Sequence, residues 1–219
     1  MSRTITVKGV GKTSTPPDYV IIGMNIESKE KEYDATMDLA AKKIEYINLA
    51  LEEIGFEKKA VKTTNFNIYT DYDRVKNKNG EYHDVFSGYV CRHNLKVEFD
   101  FDTKLLGKTL YAISKCLAYP ELNISFTVKD TSAVKKELLK SATINAKEKA
   151  EILCEASNVQ LGALLSINYN WGEINFVSRT DFDLEEKCMA MPSGGIADID
   201  FEPEDIKASD TATFIWEII

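Results

Sequence analysis

Histidine is almost missing from this sequence: there are two in 219 residues, His83 and His93. Neither has a cysteine or carboxylate at a recognised ligand interval, which argues against a metal centre built on them. Cysteine is sparse as well. Cys91, Cys116, Cys154 and Cys188 stand far apart and form no Cys-x-x-Cys pair. Five prolines and 11 glycines are too few for a low-complexity chain. No block of lysine and arginine occurs, and 27 basic against 35 acidic residues leave a formal charge of −8. That balance excludes an obvious counterion-releasing surface for nucleic acid. Long apolar runs are also absent, which excludes a membrane-spanning helix. The segment Met1–Lys8 lacks the apolar core of a signal peptide. The four cysteines therefore read as free, mostly buried thiols, and the protein as cytoplasmic.

What is present is the composition of a globular protein, 44% hydrophobic and 28% charged. The length allows one large domain or two small ones. A chain of this size buries about 70% of its unfolded surface and needs neither disulfide nor metal to hold a core.

Period-two alternation marks strands at Thr4 to Gly11 and at Tyr19 to Ser28, separated by Pro16-Pro17-Asp18. Asp34 is a candidate N-cap for a helix with Met37, Ala41, Ile44, Ile47, Leu51 and Ile54 inward, stopped by Gly55. A long hairpin follows. Its first strand, from Val61 to Tyr72, places Thr64, Phe66 and Ile68 on one face, and Asn77 to Gly80 forms the turn. The return strand turns Tyr89, Cys91, His93, Leu95, Val97, Phe99 and Phe101 to one side and Arg92, Asn94, Lys96, Glu98 and Asp100 to the other. Asp102 or Thr103 caps a second helix with Leu106, Leu110, Ile113 and Leu117 inward. Leu122 to Val128 alternates again. A third helix, from about Thr131 to Ser157, presents Val134, Leu138, Ala142, Ala146, Ala150 and Cys154. Leu165, Ile167, Tyr169 and Trp171 begin a further strand, residues 178–207 read as a long loop, and Ala212 to Ile218 closes the chain. The order ββαββ-αβα-ββ predicts an α+β fold of antiparallel sheets packed against helices. We expect one unit over 1–219 made of two intimately associated subdomains, strand-rich over 1–101 and helix-rich over 102–219.

The motif most suggestive of chemistry is Gly9-Val10-Gly11-Lys12-Thr13, which resembles the end of a phosphate-binding loop. The full pattern needs a glycine where Thr6 stands and a helix directly after the threonine, whereas Ser14-Thr15-Pro16-Pro17 follows. The motif is better read as a glycine-bearing strand end that permits close backbone contact. His93 reads as a hydrogen-bonded core histidine and His83 as a solvent group. Cys188-Met189-Ala190-Met191 offers soft sulfur but reads as an apolar anchor. Asp71 and Asp73 lie near the hairpin tip. Asp198, Asp200, Glu202, Glu204 and Asp205 read as a solvated acidic run without calcium-loop spacing. No Gly-x-Ser-x-Gly motif occurs, and Ser87-Gly88 lacks a nucleophile elbow. The Ala142, Ala146, Ala150, Cys154 ladder reads as helix-on-sheet packing within one chain, ahead of a subunit interface.

These residues together resemble the SIMPL-domain family, a bacterial domain of unknown function found in periplasmic, outer-membrane-associated immunogenic and oxidative-stress proteins. The resemblance runs through Val7-x-Gly9-x-Gly11 with Pro17-Asp18, the stretch Val61 to Ile68, Gly88-Tyr89 with Asn94-Leu95-x-Val97, and Ile124-Ser125-Phe126. It continues through Ala142, Ala146, Lys149-Ala150 and Leu161-Gly162 to Ala212-x-Phe214-x-Trp216-x-Ile218. It implies an α+β fold of two joined parts, assembly into rings in some members, and no catalytic residue to carry over. The expectation is a non-enzymatic, cytoplasmic, self-associating scaffold or stress-related protein, a homo-oligomer with no cofactor. The alternative is a small-ligand or metal binder using the 178–207 loop with His93 or the aromatics Tyr169, Trp171 and Trp216. A hydrolase using the loop carboxylates ranks third.

Overall fold

The computed structural model describes residues 3–78, 80–170, 172, 174–180 and 202–219. Seven strands and three helices follow one another as β1 (Thr4–Thr15), β2 (Tyr19–Glu30), α1 (Tyr33–Glu53), β3 (Lys62–Lys76), β4 (Tyr82–Asp100), α2 (Thr103–Lys115), β5 (Glu121–Thr127), α3 (Thr131–Ala156), β6 (Leu161–Asn168) and β7 (Ile206–Ile218). This is the α+β order expected from the sequence. A three-stranded sheet runs β1-β7-β6 and a four-stranded sheet runs β3-β4-β2-β5.

The chain divides into two interleaved units. Of the described residues, one takes those up to Asp18, Phe126–Thr180 and Pro203–Ile219; the other is built on Tyr19–Ser125. This differs from a division at 101/102. β1 pairs along its whole length with β7, from Thr4↔Glu217 to Thr15↔Ile206, and so joins the unit built by the C-terminal half. Helix α2, expected with α3, belongs instead with α1.

In the first unit, α3 packs on β1 and β7. All six positions of its expected stripe are buried, because small residues four apart keep one flat face toward the sheet. Asp130 caps the helix by accepting from the amides of Ser132 (2.9 Å) and Ala133 (3.3 Å). One core cluster gathers Val7, Ala146, Ala150, Ala212, Phe214 and Trp216, with the last two rings stacked at 5.4 Å. Burying each such aromatic contributes about 1.5–3 kcal/mol. Asp18 holds the end of the Pro16-Pro17 turn: its amide donates to the Thr127 carbonyl (3.1 Å) and its carboxylate accepts from the Lys129 amide (2.8 Å).

In the second unit, β2 and β4 form the sheet centre, paired from Tyr19↔Asp100 to Glu30↔Tyr89, with α1 against both and α2 against α1. The period-two face of β4 is buried as expected from Cys91 to Phe99. Four local expectations need correction. Asp34 does not cap α1; it lies in the first turn, where its charge favours the helix N-terminus. The buried stripe of α1 is Thr36, Ala40, Ile47 and Leu51, and Ala41 is exposed. Thr36 belongs inside because its hydroxyl donates to the Glu32 carbonyl (2.9 Å). Leu117 is exposed, because α2 ends at Lys115 and Cys116 and Ala118 turn inward instead. A bulge between Thr63 and Asn65 moves Thr64 off the face of Phe66, and Thr63 takes its place opposite Leu95. In the first unit β6 begins at Leu161, ends before Tyr169, and leaves Leu165 and Ile167 exposed on an irregular edge strand. No helix among the described residues is long and apolar enough to cross a membrane.

Candidate interaction surface

β1 and β3 are both edge strands. An edge presents a row of unpaired amides and carbonyls, and a protein must cover them or use them.

At β1 they are covered. The Val10 amide donates to Asn145 Oδ1 (3.0 Å), the Lys12 amide to Ser141 Oγ (3.4 Å), and Lys149 Nζ donates to the Lys8 carbonyl (3.2 Å). Three side chains from successive turns of α3 therefore finish the edge. They reach it because Gly9 and Gly11 let the helix backbone come in close. A methyl group on Gly9 would overlap the carbonyl oxygen of Ala142, and one on Gly11 that of Leu138. The strand repeat of about 6.6 Å per two residues roughly matches the helical pitch of about 5.4 Å, so two glycines meet carbonyls one turn apart. This accounts for the Gly-x-Gly motif without a phosphate and for the Ala142 ladder as packing within the chain.

The other sequence candidates are placed as follows. His93 is buried, with Nε2 2.9 Å from Thr63 Oγ1 and its ring edge-on to Phe66 at 5.1 Å; burial pushes its pKa down. Among the described residues, neither its Nδ1 nor the buried Ser28 hydroxyl has a hydrogen-bond partner. His83 is exposed on the hairpin. Asp71 accepts from Lys29 Nζ at 2.7 Å, which lowers its pKa, and Asp73 lies exposed two residues on. Asp205 accepts from Ser14 Oγ (2.9 Å), and Tyr169 donates to Asp210 Oδ2 (2.6 Å). Trp216 is core. Cys91, Cys116 and Cys154 are buried free thiols, and burial raises the Cys91 pKa. Glu202 and Glu204 are exposed. Trp171, Cys188 to Met191, Asp198 and Asp200 lie outside the described residues, as does most of 178–207. Among the described residues no three His, Cys, Asp or Glu side chains group as a metal site.

β3 is left open. Along it, Lys62 to Asn67 are exposed, and no side chain among the described residues covers its outer backbone. From Thr63 to Thr70 the sequence Thr-Thr-Asn-Phe-Asn-Ile-Tyr-Thr carries no charge and no proline. Charged residues resume only at its ends, with Lys62 on one side and Asp71, Asp73, Arg74 and Lys76 on the other. Beyond Tyr89 the hairpin outruns β2, so residues 71–76 and 82–88 form a two-stranded arm. The arm exposes Tyr72, Val75, Tyr82, Val85 and Phe86. Edge-to-face contacts link Tyr72 to Phe86 (5.9 Å), Phe86 to Tyr89 (5.4 Å) and Tyr89 to Tyr33 (5.6 Å), a continuous aromatic row. A two-stranded ribbon is marginal alone in water, so this row is what stiffens it. The sequence pattern placed Thr64, Phe66 and Ile68 on one face of β3 without marking it as an edge; the uncharged eight-residue run was the available signal.

The structure thus defines an α+β protein of two antiparallel sheets, one closed by strands from opposite ends of the chain and one ending in an exposed hairpin. A family model described as SIMPL, protein of unknown function (DUF541), matches residues 5–216. The chain belongs to the SIMPL family. Among curated proteins none matches it.

Proposed function

We propose that the chain is a non-catalytic, cytoplasmic scaffold that self-associates through the open edge of β3. The observation that carries this reading is the uncharged stretch Thr63–Thr70 on an edge strand with no cover among the described residues. Edges that must stay unpaired are ordinarily blunted by lysine, proline or an overlying helix, as β1 is. A two-fold antiparallel pairing of β3 with β3 of a second copy, centred between Phe66 and Asn67, sets Lys62 opposite Asp71 and Thr63 opposite Thr70. Opposite charges at both ends and threonine pairs between them favour that register. The aromatic arm adds apolar area beside the strand, which matters because a stable dimer buries about 1,200–2,000 Å². The buried free thiols support the reducing compartment in this reading. A stress-related role, implied by the family resemblance, is one that such a scaffold could serve.

Light scattering coupled to size exclusion tests the proposal. The expected result is a mass above the 24.7 kDa monomer that rises with concentration. The double variant Asn67→Lys/Thr70→Lys, which places like charges on the edge, shifts the protein to monomer with its circular dichroism unchanged. A strict monomer at high micromolar concentration contradicts the reading.

A further inference from the structure

The face of the four-stranded sheet opposite its buried one is polar and unusually rich in asparagine. The register pairs Asn65 with Asn94 and Asn94 with Asn25, so three strands contribute one straight row of side-chain amides. The adjoining row is Asn67, Arg92 and Glu27. None of the asparagine side chains in these rows has a hydrogen-bond partner among the described residues. Beside them opens a cavity of about 440 Å³ lined by Asn25, Glu27, Arg92, Asn94, Tyr119 and Glu121, within the usual span of small-ligand sites, about 300–1,000 Å³. Tyr119 forms one wall. Its backbone is left-handed (φ 48°), a conformation a tyrosine rarely adopts and one that clusters at functional sites, and the residue is 71% exposed.

The charges narrow the ligand class. Arg92 Nε donates to Glu27 Oε2 at 3.0 Å, and its guanidinium lies over the Tyr69 ring at 5.5 Å. Glu121 lines the same cavity, so carboxylates outnumber its one cation and no anion is recruited. Glu27 is in turn committed to Arg92, and Glu121 is then a single exposed carboxylate, too few ligands to hold a cation. A peptide would need apolar pockets for its side chains, and of the two large apolar residues in the described lining, Tyr119 and Ile26, Ile26 is buried in the core at 3% exposure. The open amides each present a donor and an acceptor in one plane, the pattern that vicinal hydroxyls satisfy, and an aromatic wall suits the C–H face of a sugar ring.

We propose that this cavity binds a neutral saccharide of one or two rings, with Asn25 and Asn94 hydrogen-bonding its hydroxyls and Tyr119 stacking on one ring. The site stands independently of the β3 edge. Titration of the full chain with cellobiose, maltose and N,N′-diacetylchitobiose, followed by ligand-observed NMR, tests it. At least one of these binds at millimolar concentration, and Asn94→Leu or Tyr119→Asn each weakens it by about tenfold. Asparagine tolerates the left-handed backbone at position 119, so the second variant removes the ring without adding strain. Tyr72→Ser, on the hairpin arm, leaves binding unchanged. The proposal is overturned if none of the three sugars binds, if glucose 6-phosphate or spermidine binds in preference, or if binding survives both cavity variants.

Discussion

Along β1, the outward backbone groups of Lys8, Val10 and Lys12 each meet a side chain of α3, at the cost of two glycines set against the helix backbone at Leu138 and Ala142. Along β3, the outward groups between Thr63 and Thr70 meet no side chain among the described residues, and the strand bears phenylalanine, isoleucine and tyrosine where an edge meant to stay bare would carry lysine. The same hazard is closed at one edge of the chain and left open at another. Closing an edge requires an overlying element whose sequence is tightly constrained. Leaving one open requires only that something else pair with it.

The contrast can be broken most forcefully at the glycines. Gly11→Ala forces a methyl group into the α3 backbone and should destabilise the protein by about 3 kcal/mol or more, read from urea unfolding. Gly23, on β2 in the other unit, is the control. An added methyl there meets its nearest atoms at 3.6 and 3.7 Å, ordinary contact, so Gly23→Ala changes stability by less than about 1 kcal/mol and in the favourable direction. If the two substitutions cost the same, close helix approach is not what Gly9 and Gly11 provide.

A graded effect separates the open unit further. His93 is held neutral by burial, so its pKa is lower folded than unfolded. Its contribution is therefore intact above the unfolded value of about 6.5 and is lost as pH falls through the lower, folded pKa. Native protein should lose more stability between about pH 7.5 and 5 than His93→Gln does, because only the native chain must take up a proton on a buried imidazole. Equal losses would place His93 in contact with water.

Features that depend on local spacing were legible in the sequence. The α3 ladder and the face of β4 repeat a single period over many residues, and the structure buries the whole ladder and the β4 face from Cys91 to Phe99, leaving Tyr89 and Phe101 half-buried at its ends. Thr36 escaped the α1 stripe because its polarity is cancelled by a carbonyl four residues back, a satisfaction that periodicity does not register. The parity of β6 was hidden by its almost continuous apolar run, Leu161 to Ile167. The roles of β1 and β3 were the least legible, since whether a strand lies at an edge depends on partners far along the chain. β1 is completed by β7 some two hundred residues later, which also moved the boundary between the units. Gly9-x-Gly11 suggested a phosphate loop for a related reason. Glycines mark any close approach to backbone, and only α3 says what approaches.

Hydrogen–deuterium exchange of the native protein, measured at low and at high concentration, tests the central contrast most directly. Amides across Thr63–Thr70 are expected to exchange more slowly at high concentration, while those of Val10 and Lys12 are protected equally at both. Exchange across Thr63–Thr70 that is independent of concentration would contradict it.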